Sequence, residues 1–285
     1  MRKSTINIIH LLCKGQKKEY LCKKNQMRKL LVIVVSIFTL VACTSKTETT
    51  EPKEENPTQI SQEQTNPSQE AGCINDSTGK GLKVLLINGS PRKNGNTYLA
   101  LMEAAKQLEQ NGIASELLQI GTEPAQGCIA CNHCKKTGHC VFEDELYNRA
   151  YNLMSECDGI IVGSPTYYGQ PNGTLLCLIQ RLCYSASNLM QNKPAAAVAV
   201  CRRGGATAVY QTLLMPFQML NMPIVTSQYW NIVYGRDEGE AALDEEGLQT
   251  MRTMANNMAW MLKKIHNDTE TPIREEEHKV TNFIK

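Results

Sequence analysis

A chain of 285 residues that is 42% hydrophobic and 20% charged has enough apolar material for an ordinary packed core, in one large domain or two small ones. Its formal net charge of +2 leaves no electrostatic footprint for nucleic acid, and basic residues ahead of Leu30 inflate even that figure. Twelve cysteines are many, and their distribution matters more than their number.

Residues 1–26 show no amphipathic pattern and read as a start called too early, with Met27 a natural first residue. Residues 30–41, LLVIVVSIFTLV, are almost continuously apolar behind Arg28 and Lys29. The run is short of the roughly 20 residues a bilayer span needs. A charged n-region, a short apolar core and small residues after it read as a signal peptide over 27–42. Leu40-Val41-Ala42-Cys43 resembles a bacterial lipoprotein signal, with Cys43 lipidated after cleavage; the alternative is an uncleaved anchor. Both readings place the protein outside the cytoplasm, tethered to the cell membrane. Residues 43–80 are Thr, Glu, Gln, Pro, Asn and Ser with almost nothing apolar, so they read as a disordered linker that sets the domain off from its anchor.

The folded domain is expected over 81–266, with a polar tail over 267–285. Residues 82–88, LKVLLIN, read as a strand buried on both faces. Residues 97–111 follow with Leu99, Met102, Ala105 and Leu108 at helical spacing. Residues 114–120 read as a second strand and 143–156 as a helix. GIIVG at 159–163 is the third strand, 173–184 a helix, 195–201 the fourth strand, 206–220 a helix and 223–228 the fifth strand. A helix over 246–266 closes the domain, its methionine stripe read as core. Cys157, Cys177, Cys183 and Cys201 read as small hydrophobes inside apolar stretches. Strands alternating with helices predict an α/β, three-layer, flavodoxin-like fold with a five-stranded parallel sheet in order 2-1-3-4-5. Ligands then bind at the carboxyl ends of the strands, where the order reverses.

Three loops at that edge carry chemistry. After strand one, SPRKNGNT offers short side chains, glycine and the first turn of a helix, a cradle for an anion. Ser90, Asn94, Asn96 and Thr97 supply hydrogen-bonding side chains and Arg92 a cation for phosphate. The loop lacks both the GxGxxG dinucleotide fingerprint and the Lys-Ser/Thr ending of a nucleotide P-loop, so a monophosphate such as that of FMN suits it. After strand three, Pro165, Thr166, Tyr167, Tyr168 and Gly169 offer an aromatic platform and close backbone approach for a flat ring. After strand four, Arg202, Arg203 and Gly204 could face the electron-rich edge of a reduced flavin.

With CIACNHCKKTGHC, SPTYYGQPNG, RRGGAT and NMPIVTSQYWN beside the first loop, the chain resembles the NAD(P)H-dependent FMN reductase superfamily, and within it the iron–sulfur flavoprotein branch. The resemblance covers residues 82 to about 265. It implies bound FMN, NAD(P)H as co-substrate, and a dimer or tetramer whose subunits contribute to each other's flavin sites. By position it assigns Ser90, Arg92, Asn96 and Thr97 to the phosphate, and Pro165 to Gly169 with Arg203 and Gly204 to the ring.

Cys128-x2-Cys131-x2-Cys134-x5-Cys140 matches the spacing by which that branch holds a [4Fe–4S] cluster. Four thiolates also suit Zn²⁺ or two disulfides, and export as a lipoprotein would favour disulfides. His133 and His139 are additional candidate ligands or exposed loop residues. Two functions follow: an FMN-dependent oxidoreductase that reduces a flavin, quinone or aromatic acceptor, and a membrane-tethered electron carrier that serves a redox protein without turnover of its own.

Overall fold

A computed structural model describes residues 81–267; the signal, Cys43, the linker and the tail from 268 lie outside the described residues. The elements are β1 (Lys83–Asn88), α1 (Asn96–Gln110), β2 (Ala114–Gln119), α2 (His133–Thr137), α3 (Glu145–Glu156), β3 (Gly159–Pro165), α4 (Gly173–Ser185), α5 (Ser187–Met190), β4 (Ala195–Cys201), α6 (Ala206–Met219), β5 (Ile232–Tyr234), a 3₁₀ turn (Glu240–Leu243) and α7 (Glu245–Asn267). The strands form one sheet in order β2-β1-β3-β4-β5, every pair parallel. This is the flavodoxin-like arrangement expected from the alternating elements. Among the described residues, no helix is long and apolar enough to cross a membrane.

Both faces of the sheet are covered, and strand alternation sorts the side chains between them. Leu85, Ile87, Ile160, Val162, Ala197 and Ala199 pack with Tyr147, Leu178, Leu182, Leu213 and Phe217 on one side. Val84, Leu86, Ile161, Ala196 and Val198 pack with Leu101, Leu108, Met254 and Met258 on the other, so the methionines of α7 are core. Small residues set how closely the layers meet. A Cβ on Gly163 would lie 3.0 Å from Leu101 Cδ1 and from Thr97 Cγ2, which brings α1 down onto β3.

One element lies elsewhere than expected. Of residues 223–228, only Ile224 pairs with the sheet, by a single bridge to Ala195. The Val225 N–H donates to the Ala195 carbonyl, and the Ala195 N–H to that of Pro223. The chain then loops out through Thr226 to Trp230 and re-enters as β5, with Ile232 to Tyr234 in register with Ala199 to Cys201. Buried Asn231 holds the loop: its Oδ1 accepts from Ser227 Oγ at 2.8 Å, and its carbonyl accepts from the Ala199 N–H. Pro223 has no N–H for a ladder, so pairing is carried by the later segment.

Candidate functional site

The strand order reverses between β1 and β3, and the loops after β1, β3, β4 and β5 meet at that crevice. The first is held tightly. Gly89 N–H donates to the Gly163 carbonyl at 2.7 Å, and a Cβ on Gly89 would sit 2.4 Å from Leu175 Cδ2 and 2.6 Å from Gly163 O. Buried Asn88 donates its amide to Gln119 Oε1 and accepts the Ser90 N–H, while Ser90 Oγ accepts the Arg92 N–H at 3.2 Å. The chain thereby turns back over the N-terminus of α1. No side chain caps that helix, which leaves its first amides to an outside acceptor. Ser90 and Thr97 are buried against the loop; Arg92 and Asn94 are exposed.

Asn96 is employed differently from its neighbours. Its Nδ2 donates to the Asp237 carbonyl at 2.9 Å and its Oδ1 accepts the Ala241 N–H at 3.1 Å. The side chain thus pins a fourth loop, residues 235–241, beside the loop after β1. That loop is folded on Glu240, whose carboxylate accepts the Arg236 and Asp237 N–H groups; those bonds hold its pKa below the usual carboxylate value. Sequence reasoning missed this loop, and its signal was the Gly235 to Gly239 turn directly after β5.

The loops after β3 and β4 touch. Tyr167 and Gln170 exchange two backbone hydrogen bonds of 2.9 Å across Tyr168 (φ 51°) and Gly169 (φ 77°). Two left-handed residues in succession make a tight hairpin tip. Tyr168 is fully exposed at that tip and Tyr167 nearly half exposed. Gly205 (φ 87°) lies against them, where a Cβ would be 3.0 Å from Gly169 Cα and 3.2 Å from Thr166 Cγ2. Arg202, Arg203 and Gly204, just before Gly205 in the chain, are exposed, and Pro165 is half-buried. Thr166 Oγ1 is buried with no hydrogen-bond partner. A buried hydroxyl without a partner costs about 1–3 kcal/mol, so its presence at the crevice points to a ligand atom.

The cysteine loop leaves the same end of the sheet after β2. Cys128, Cys131, Cys134 and Cys140 line one cleft together with Arg181, Tyr184 and Ser185. All eight described cysteines are free thiols, and among the described residues no three His, Cys, Asp or Glu side chains are gathered closely enough for a single metal ion. The four soft donors on one cleft nevertheless fit a thiolate-ligated cluster. Cys140 is anchored hardest. Its N–H donates to Tyr147 Oη at 3.1 Å, and Arg181 Nε donates to its Sγ at 3.3 Å. His133 is exposed, whereas His139 stacks edge-on against Tyr147 and Tyr151.

The single cysteines divide. Cys157 and Cys201 are buried as expected, while Cys177 and Cys183 are half-buried. Cys177 Sγ would lie 3.6 Å from a Cβ on Gly127, at the foot of the cysteine loop. Burial pushes the Cys157 thiol up to about 11 and the Cys183 thiol up to about 12. Folded values above the unfolded one mean that the folded protein keeps protons the unfolded chain gives up. The contribution is complete below about pH 8.5, the ordinary thiol value, and is lost as pH rises toward 11 and 12. The urea midpoint should therefore fall between pH 8 and pH 10.5, and less steeply in the Cys157→Ala, Cys183→Ala double variant. Equal slopes in the two proteins would reject this contribution.

Residues 82–237 match the family described as NADPH-dependent FMN reductase. An iron–sulfur flavoprotein of Methanocaldococcus jannaschii is 33% identical over 192 residues, covering 65% of this chain and 99% of that protein. Another from Methanosarcina thermophila is 28% identical over 195 residues, covering 66% and 100%. Among solved structures, RosB with bound 8-demethyl-8-formylriboflavin-5'-phosphate is similar with a TM-score of 0.52 at 16% identity, covering 72% of this chain and 98% of that one. That last likeness is one of fold.

Proposed function

From the premise that the chain belongs to the NADPH-dependent FMN reductase family, and is therefore an FMN-dependent oxidoreductase, we propose that it passes electrons from NAD(P)H to a small flavin, quinone or aromatic acceptor. The observation that carries this reading is the crevice itself, with an uncapped helix N-terminus at one end and the unpartnered Thr166 hydroxyl at the other. The residues of this crevice would hold FMN, which would supply hydride acceptance and onward electron transfer.

The residues bind and orient. The amides at the start of α1, with Ser90, Thr97 and the exposed Arg92 and Asn94, would hold the phosphate. Thr166 Oγ1 would hydrogen-bond the polar edge of the ring. The hairpin of Tyr167, Tyr168 and Gly169 would cover one side, and the close packing of Gly205 on Gly169 keeps that hairpin in place. Arg202 and Arg203 would put positive charge beside the ring, which favours its anionic reduced form.

Cys128, Cys131, Cys134 and Cys140 would hold a [4Fe–4S] cluster. This is supported by their shared cleft and by relatives described as iron–sulfur flavoproteins. The position of the cysteine cleft, after β2 at the carboxyl end of the sheet, also favours a second reading, in which the protein serves a redox partner as a carrier. Tethering through Cys43, and assembly as a dimer or tetramer, belong to the same proposal; the exposed Tyr168 tip is available to a neighbouring subunit.

Anaerobic NADPH oxidation by the FMN-loaded protein, with flavin, quinone and nitroaromatic acceptors, separates the two readings. Turnover supports the reductase; bound FMN with no turnover on any acceptor rejects it. Thr166→Val tests the ring assignment. Removing a hydroxyl that has no partner in the protein leaves the apoprotein's melting temperature unchanged or raised, while loss of a ligand hydrogen bond of about 1 kcal/mol weakens FMN binding about fivefold. Fluorescence titration of the apoprotein with FMN reads this directly, and equal affinity in the two proteins would refute it.

A further inference from the structure

Arg181 is a charged side chain in the middle of a hydrophobic helix, GTLLCLIQRLCYS, and its side chain is fully buried. A guanidinium does not lose its proton in a protein, so a charge buried this deeply needs partners. Its three nitrogens point in three directions. Nη1 donates to Asp144 Oδ2 at 2.5 Å, Nη2 to the Phe142 carbonyl, and Nε to Cys140 Sγ at 3.3 Å. The guanidinium lies over the Tyr147 ring, 4.5 Å from its centroid. Tyr147 in turn accepts the Cys140 N–H and shares a 2.6 Å hydrogen bond with Ser185 Oγ.

Stability alone does not account for this arrangement. A buried ion pair exchanged for apolar side chains of equal volume is often neutral or stabilising, and the neighbouring positions on the same face of α4, Leu178 and Leu182, are already apolar. What an apolar side chain could not do is direct an N–H at sulfur. Among the described residues, Cys140 is the cysteine of the loop whose sulfur receives such a donor. Hydrogen bonds and positive charge at a thiolate ligand stabilise the reduced, more anionic form of a cluster and raise its potential.

We propose that Arg181 is the positioning residue of the cysteine cleft: it fixes Cys140 Sγ as the one preset ligand, onto which the CxxCxxC segment closes, and it raises the reduction potential of the cluster held there. This rests on the cluster reading given above. The redox step is a single electron entering the cluster from an external reductant, with no bond made or broken.

The test uses the full chain, with Arg181→Lys and Arg181→Gln beside it, reconstituted anaerobically with ferrous iron and sulfide. Iron and sulfide content, flavin absorbance and EPR-monitored titration with dithionite are then read on each. Arg181→Gln should shift the one-electron equilibrium toward the oxidised form at least tenfold, about 59 mV lower, or lose iron from the Cys140 corner. Arg181→Lys keeps the charge without the planar fork and should fall between. A structural role alone would lower the melting temperature and leave the potential in place, so full iron at the wild-type potential in Arg181→Gln overturns the proposal. If that variant does not fold, Arg181→Lys decides by the same two readings; failure of both to fold assigns a structural role and also overturns it. Wild-type protein that takes up no iron or sulfide overturns the cluster reading first, and this one with it.

Discussion

Gly89→Ala is expected to lower the melting temperature by roughly 4–16 °C and to strip the purified protein of most of its flavin. The added Cβ would meet two atoms at once, Leu175 Cδ2 at 2.4 Å and the Gly163 carbonyl oxygen at 2.6 Å. Leu175 is fully buried and has little room to swing away. Gly163 O is backbone in the centre of the sheet, and it already accepts the Gly89 N–H. The loop must therefore lift off β3. Overpacking costs about 1–3 kcal/mol and the lost hydrogen bond about 1 kcal/mol, and each kcal/mol lowers the melting temperature of a domain this size by about 2–4 °C. Displacement of the loop carries Ser90 and Arg92 away from the start of α1, so FMN retention should fall with stability. Gly173→Ala is the control: a Cβ there meets nothing within 4 Å, and alanine favours the helix it begins. A Gly89→Ala protein with the wild-type flavin ratio and melting curve would mean that this close contact does not shape the site.

The order of the sheet was legible because its interior strands are short runs of Val, Ile, Leu and Ala between helices with a clear apolar face. β5 was not. Pro223, Ile224 and Val225 carry the apolar signature of a strand, yet they make one bridge, while the strand itself is three residues long and follows a polar loop. A short edge strand gains most of its pairing from one neighbour, and nothing in its own sequence has to announce it. The phosphate loop was recognisable as a loop, but the work of Asn96 was not. Its partners, Asp237 and Ala241, lie 141 and 145 residues further along the chain, so a local motif of small polar residues has the same appearance whichever way that side chain turns.

The cysteine spacing likewise showed the four donors without showing what surrounds them. Arg181 stands in an apolar helix, with Cys140 and Asp144 in a separate loop 41 and 37 residues earlier. One trace was available: on α4, Arg181 falls on the face that Leu178 and Leu182 bury. A long cation in that position requires a partner, but the acidic residues nearest upstream are Asp158 and Glu156, so the sequence signalled that a partner was needed without saying which one.

Asp144 is that partner, and it has two tasks. One carboxylate oxygen accepts the Tyr147 N–H at 2.9 Å and caps α3; the other accepts from Arg181 Nη1. Removal of both in Asp144→Ala should cost about 3 kcal/mol. The cap accounts for about 1 kcal/mol. Breaking a wholly buried pair costs 3–5 kcal/mol, but the Asp144 side chain is 41% exposed, and solvent screening reduces that share to about 2 kcal/mol. Asp144→Asn separates the two, since asparagine caps a helix as well as aspartate does while withdrawing the charge. It should therefore lose about 2 kcal/mol, nearly all of it from leaving the buried guanidinium unneutralised. Urea denaturation of the three proteins at pH 7 measures both differences. Asparagine indistinguishable from wild type would show that the cap alone matters and that Arg181 needs no countercharge. Asparagine as damaging as alanine would show the reverse, that the loop carrying Cys140 is held to α4 by charge.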